Sequence, residues 1–276
     1  MVFVVGAVAI DLVAVKEKFL EGTSNPSDIR LGLGGVGYRI FSNLDAPRKF
    51  ITALANDPIS RWAREALEAD DGVAIQRVRE KDAGPPLYLA LMESGSLKVA
   101  ASDFRIVEQS LSVSFVVEQI GEPGPRDFLI LDANLSPAVL AELARRYSAS
   151  TRVIFEPVSV EKAARHADAV RDLFLLTPTE EEMAALAEGS PQDYRRARRI
   201  GSLLVTLGRR GVRLYDDEGE EAISPTLVVD APDTTGAGDL LLASLVSRVH
   251  AGEGIRTAVR GAMRGVEQRL QAGDSL

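Results

Sequence analysis

The sequence predicts an α/β fold: a mostly parallel sheet covered by helices on both faces, with a small β lid set outside it. Two observations carry this. Short runs rich in Val, Ile, Leu and Phe alternate with amphipathic stretches along most of the 276 residues, as expected of βαβ units whose strands are buried on both faces. Two stretches break that rhythm with apolar, strand-like runs that no helix follows, and these supply the lid. No repeat, low-complexity tract or Pro/Ser-rich linker divides the chain. Residues 1–276 are therefore read as a single domain, with lid strands from about 8–30 and 84–103.

The elements follow in order. Residues 2–5 are a β-branched run ended by Gly6, a buried strand. Residues 8–15 continue as a further strand. Residues 35–44 read as a helix opened by glycines, 49–54 as a strand, 59–69 as a helix that packs Trp62, and 72–78 as a strand. Residues 87–92 and 97–101 flank Glu93-Ser94-Gly95-Ser96, a turn signal. Residues 128–131 are a strand, and 136–146 a helix that Ser136 caps and Pro137 starts. Strand 153–155, helix 160–167, strand 173–176 and helix 179–187 follow, the last capped by Thr179. Strands 203–207 and 212–215 enclose a hairpin-type turn, Gly208-Arg209-Arg210-Gly211. Helices 236–249 and 255–270 close the series, and the basic run 195–199 reads as a solvated helix face.

Composition narrows the function. Acidic residues number 40 against 32 basic ones, a net charge of −8. That argues against nucleic acid or an anionic membrane as partner, yet leaves room for a small phosphorylated ligand held on backbone amides. The absence of cysteine excludes disulfides, thiolate metal sites and a cysteine nucleophile. The two histidines, His166 and His250, lie on separate segments and read as ordinary surface or helix residues. No apolar run approaches the ~20 residues of a membrane span, and Met1 leads straight into a strand. The cytoplasm is the expected location.

The segment that carries chemistry is Asp233-Thr234-Thr235-Gly236-Ala237-Gly238-Asp239, a polar, glycine-rich turn that runs into the apolar helix after it. Glycines let successive N–H groups converge on an anion, and the helix start adds free N–H groups and partial positive charge. Such a nest suits a γ-phosphate and the charge of its transfer. A carboxylate in the first turn, Asp239, stands where it can take the proton of an attacking hydroxyl. Read alone, a G-x-G-D string is also consistent with a capped helix and a tight turn.

The full string resembles the signature of the ribokinase-like (PfkB) carbohydrate kinases, and the resemblance covers nearly the whole chain. It implies a ribokinase-like three-layer αβα sandwich and transfer of phosphate from ATP, with Mg²⁺, to a sugar or nucleoside hydroxyl. It further implies an anion hole of Gly236, Ala237 and Gly238 amides, with Asp239 as catalytic base. Gly34-Gly35-Val36-Gly37 resembles the family's diglycine, where backbone approaches the sugar, and Asp11 stands where the family places a carboxylate on sugar hydroxyls. Thr177-Pro178-Thr179-Glu180-Glu181-Glu182 resembles its Mg²⁺ segment, which implies that Glu182 organises the metal. Val205-Thr206-Leu207-Gly208 resembles the border of the nucleotide, so Thr206 and Gly208, with Thr235 and Gly238, are implied for ATP. In some relatives the lid pairs with a second subunit, which makes a homodimer through the lid an expectation by resemblance.

Within the family, several strings in order resemble pseudouridine kinases: Ser24-Asn25-Pro26, Tyr88-Leu89-Ala90, Asp132-Ala133-Asn134-Leu135, and Pro157-Val158-Ser159-Val160 with Lys162. They imply pseudouridine as acceptor, phosphorylated on its 5′-hydroxyl, with Asn134 at the acceptor. The departures are as informative. Arg39 replaces an Asn that touches the sugar; it is larger, charged and donor-only, suited to clash with a neutral nucleoside or to select an acidic or phosphorylated one. Thr179 replaces an Asn, Asn56 a Gly and Glu156 an Asp. Two alternatives to pseudouridine phosphorylation stay open: another sugar or nucleoside kinase, and a non-catalytic nucleoside- or nucleotide-binding protein on the same fold.

Overall fold

The structure, a computed structural model, describes residues 1–70, 72–78, 84–226 and 236–272. In chain order it contains β1 (Val2–Val5), β2 (Ala9–Lys16), β3 (Asp28–Gly34), α1 (Val36–Asn43), β4 (Arg48–Ala55), α2 (Pro58–Leu67), β5 (Val73–Val78), β6 (Leu87–Glu93) and β7 (Ser96–Asp103). Then come α3 (Arg105–Ser110), α4 (Val113–Ile120), β8 (Phe128–Asp132), α5 (Pro137–Tyr147), β9 (Arg152–Glu156), α6 (Val160–His166), β10 (Leu175–Leu176) and α7 (Glu180–Leu186). The last part is α8 (Pro191–Ala197), β11 (Ser202–Thr206), β12 (Val212–Asp216), β13 (Gly219–Ile223), α9 (Ala237–His250) and α10 (Ile255–Ala272).

Among the described residues the main sheet has nine strands in the order β13-β12-β11-β10-β9-β8-β1-β4-β5. It is parallel from β11 to β5, with β12 and β13 antiparallel at one edge. The period-two alternation of strand side chains builds two apolar layers. Val2, Val4, Phe50, Phe128 and Ile130 face α1, α2, α9 and α10. Phe3, Val5, Ile51, Leu129 and Leu131 face the helices from α3 to α8. The result is the ribokinase-like αβα sandwich that the resemblance implies.

The lid is a separate four-stranded sheet in the order β3-β2-β6-β7. Its register sorts its side chains by face. Asp11 lies opposite Gly32 and Tyr88, whereas Leu12 lies opposite Leu31 and Leu89, and Ala14 opposite Ile29 and Leu91. The Asp11 face is mixed, with Tyr88, Arg30 and Asp28 beside Val13 and Val15; the other face is apolar, and on it Ile29, Leu31, Leu89 and Val99 are about half or more exposed (66%, 55%, 48% and 53%). No helix among the described residues is long and apolar enough to cross a membrane.

Local signals account for several elements. Ser136 caps α5 by accepting the Val139 N–H at 3.3 Å, with Pro137 in the first turn. Thr179 caps α7 in a reciprocal capping box with Glu182. Other features depart from the sequence reading. Helices α3 and α4 and the polar edge strand β13 have no counterpart in it, and the helix read under the basic run 195–199 is α8, which ends at Ala197. Strand 173–176 is reduced to β10. The 208–211 turn does join β11 and β12 as an antiparallel hairpin, through one turn of 3-10 helix. Trp62 is 38% exposed rather than packed. Arg195 is buried rather than solvated: it donates to the Ile200 and Gly201 carbonyls at 2.9 and 2.7 Å, satisfying backbone acceptors just past the end of α8.

Candidate active site

The parallel strands end on one side of the sheet, where open α/β sheets bind ligands. Gly6 follows β1, Asp132 ends β8, Glu156 ends β9, Thr177 follows β10 and Thr206 ends β11. The N-terminus of α9 is set against this edge. Gly236 adopts φ +88°, a left-handed conformation suited to glycine, and its carbonyl accepts the Leu240 N–H at 2.9 Å to start the helix. The amides of the first turn have no partner within the helix, so an anion can supply one. Two cavities meet at this turn. One, of about 620 Å³, is lined by Thr179, Thr206, Gly208, Ala237 and Gly238. The other, of about 760 Å³, is lined by Asp11, Gly35, Arg39, Asn134, Lys162, Gly236 and Asp239.

The second cavity lies under the face of the lid that carries Asp11 and Tyr88. Gly35 has φ +87°, and a Cβ there would stand 2.8 Å from the Ala9 nitrogen and 3.0 Å from the Ala7 carbonyl oxygen. A Cβ on Gly34 would run into the Asp11 carboxylate. The diglycine therefore lets backbone pass close to Asp11. Arg39, on α1, donates from Nη2 to Asp11 Oδ2 at 3.2 Å. Burial pushes the Asp11 carboxyl up, and Arg39 offsets part of this. Burial also pushes Asp239 up to about 7, with Arg39 pulling it down and Asp132 adding to the rise. Asp132 is fully buried; it accepts the Ala7 N–H at Oδ2 and the Asn134 N–H at Oδ1, both at 2.9 Å. Its carboxyl is also raised by burial.

A pair of acids borders the other side of the Asp239 turn. Glu156 accepts the Thr177 hydroxyl and the Val158 N–H. Burial first, then Glu182 and Asp239, drive its carboxyl well above the usual range. Glu182 accepts the Thr179 N–H at 2.8 Å, and burial raises it too. Among the described residues no three acidic or histidine side chains converge on a point. A cation here would therefore be held by one or two carboxylates and otherwise by water and phosphate, which is how Mg²⁺ is usually bound. Two neighbouring hard-oxygen donors, Glu182 buried and Glu156 half-buried, fit that ion.

Residues 1–264 match the family model described as pfkB family carbohydrate kinase. The chain belongs to the pfkB family. It is a kinase of the carbohydrate and nucleoside class. It is 25% identical over 271 residues to the pseudouridine kinase of Escherichia coli strain K12, covering 89% of this chain and 82% of that one. It spans only 25% and 50% of two bifunctional relatives that it also matches. Its fold superimposes on the ribokinase of Thermotoga maritima with a TM-score of 0.83 at 20% identity, over 98% of this chain and 92% of that one. Against the Arabidopsis thaliana ribokinase complexed with ribose and ATP the TM-score is 0.74 at 19% identity, over 98% and 92%.

In this pfkB chain the expected residues fall into two groups. Asp11, Gly35, Arg39, Asn134, Gly236 and Asp239 line the lid-side cavity, with Gly34 packed against Asp11. Thr206, Gly208, Ala237 and Gly238 line the other, and Glu182 sits behind Thr179 at its edge. Thr235, with Asp233 and Thr234, lies outside the described residues. Two residues were singled out from the sequence only as parts of longer strings. Asp132 carries a usable signal, an acid that closes an all-apolar strand. Lys162 carries none locally, since its place depends on how α6 meets the end of β8.

Proposed function

We propose that this chain transfers the γ-phosphoryl group of ATP to a hydroxyl of a sugar or nucleoside. The observation that carries the reading is the Gly236–Asp239 turn shared by two cavities, with first-turn amides between them and a carboxylate facing the lid side. The 620 Å³ cavity, bordered by Thr206 and Gly208, takes the nucleotide. Asp11 and the Gly34-Gly35 backbone hold the acceptor's other hydroxyls. Asp239 accepts the proton of the attacking hydroxyl as its oxygen bonds to phosphorus, and ADP leaves. The Gly236, Ala237 and Gly238 amides hold the charge on the transferring group. Glu182, with Glu156, is the side-chain locus for Mg²⁺, which when bound neutralises phosphate charge. The lid covers the acceptor and keeps water from taking the phosphoryl group.

The Escherichia coli relative favours pseudouridine as the acceptor, phosphorylated at its 5′-hydroxyl. The exposed apolar lid face favours a second copy of the chain as its cover, because a contiguous apolar strand surface is unfavourable in water. ADP release from Mg·ATP with pseudouridine, and its loss in Asp239→Asn, tests the reaction. No ADP from any sugar or nucleoside would contradict it.

A further inference from the structure

Among the described residues, four that are not glycine have positive φ: Ser94, Val158, Asp172 and Arg199. Ser94 lies in the exposed turn between β6 and β7, and Asp172 and Arg199 pair with each other. Val158 differs. It is β-branched, the side-chain type least suited to its φ of +68°. The Ser159 N–H donates to the Pro157 carbonyl at 2.7 Å and closes a three-residue turn with Val158 at its centre. The Val158 N–H donates to Glu156 Oε1 at 3.3 Å, and Ser159 Oγ accepts the Lys162 N–H at 3.4 Å to cap α6. The turn is thus held between the acid that ends β9 and the start of α6. None of these bonds uses the Val158 side chain, and glycine would take this φ without strain. The side chain is half-buried and packs on the apolar layer under α3 to α8. Val158 also lines the lid-side cavity, where Ser159, Glu161, Lys162 and Arg165 of the same segment are all polar. A strained conformation kept at the wall of a site points to a role for the side chain that strains it.

We propose that Val158 is a specificity residue of the acceptor site, and that its turn presents an apolar wall to an uncharged C–H face of the acceptor. The inference rests on the phosphoryl-transfer reading of this cavity and deepens it for the acceptor. A ring face laid on Val158 gives up no hydrogen bond, whereas a hydroxyl or a charge placed there would be left unpaired. The bond from the Val158 N–H to Glu156 fixes the wall relative to that acid.

The test uses the full chain with Mg·ATP, and pseudouridine, uridine and ribose as acceptors. Each acceptor is also titrated by calorimetry in the presence of Mg²⁺ and a non-hydrolysable ATP analogue. Val158→Gly and Val158→Asn both suit the turn; the first removes the wall and the second makes it polar. In both, the KM and Kd of the best acceptor should rise by roughly 10- to 100-fold, the scale of lost apolar contacts in a pocket, while kcat and the KM for ATP change little. Tm should stay within a few degrees of wild type, because relief of the turn offsets the lost packing. A drop in Tm with acceptor KM and Kd unmoved makes Val158 a packing residue only, which overturns the proposal and leaves the kinase reading standing. Acceptor binding that both variants weaken, without turnover in wild type, supports the proposal and contradicts the kinase reading. No binding of any acceptor to wild type overturns the proposal.

Discussion

Arg39 binds Asp11 at the lid-side cavity, Nη2 to Oδ2 at 3.2 Å, and so ties the first helix to the lid. The same guanidinium pulls down the carboxyl of Asp239, which burial holds at about 7. One residue thus pairs with Asp11 and acts through space on Asp239.

A carboxylate base must be ionised to act, so kcat/KM should rise with pH and level off above about 7. Removing the guanidinium in Arg39→Ala takes away the influence that favours the ionised form. The break in the profile should then move to higher pH. A pH series of kcat/KM on both proteins checks this, and an unmoved break would separate Arg39 from the base.

Glu182 and Glu156 are both raised carboxyls, so the folded state holds their protons to higher pH than the unfolded chain does. Their contribution is a loss of stability as pH rises from the unfolded values through the folded ones. Glu182→Gln should therefore melt higher than wild type at pH 8, and this gain should shrink towards pH 4. The same variant should need more Mg²⁺ for half-maximal ADP release. Thermal melts across pH and a Mg²⁺ titration read the two effects separately.

Thr179 caps α7 and is held in turn by Glu182. Thr179→Ala should cost about 1 kcal/mol of stability, or roughly 2–4 °C in Tm for a chain of this size. Thr179→Ser keeps the capping oxygen and should lose much less. Equal losses in both variants would mean that the cap contributes little.

Ile29, Leu31, Leu89 and Val99 share the apolar face of the lid. If a second copy covers that face, Ile29→Lys combined with Val99→Lys should convert a dimer to a monomer in light scattering, without lowering Tm of the subunit by more than a few degrees. A wild-type monomer at all accessible concentrations would rule this cover out.

What the sequence shows of this fold is what is local. The buried strands are legible because each is a short apolar run, and the α5 and α7 starts because Ser136 and Thr179 bond their own helices. The Gly236–Asp239 turn is legible because glycine freedom, a helix start and a carboxylate fall within four positions. Other features depend on partners far along the chain. Arg195 looks solvated until Ile200, Gly201 and Asp217 are seen to surround it. Strand β13 is polar and exists through its pairing with β12. Glu156 and Glu182 repel each other only because β9 and β10 lie side by side and bring the chain that follows them together. Lys162 becomes a pocket residue only when α6 packs near Asn134 and Phe104.

The most direct measurement of the central claim is ADP release from Mg·ATP across a panel of sugars and nucleosides, pseudouridine included, for wild type and Asp239→Asn side by side. The account predicts acceptor-dependent turnover that falls by about 10²- to 10⁴-fold in the variant, with ATP-analogue binding retained. Turnover by Asp239→Asn equal to wild type, or ATP-analogue binding with no turnover of any acceptor, would contradict it.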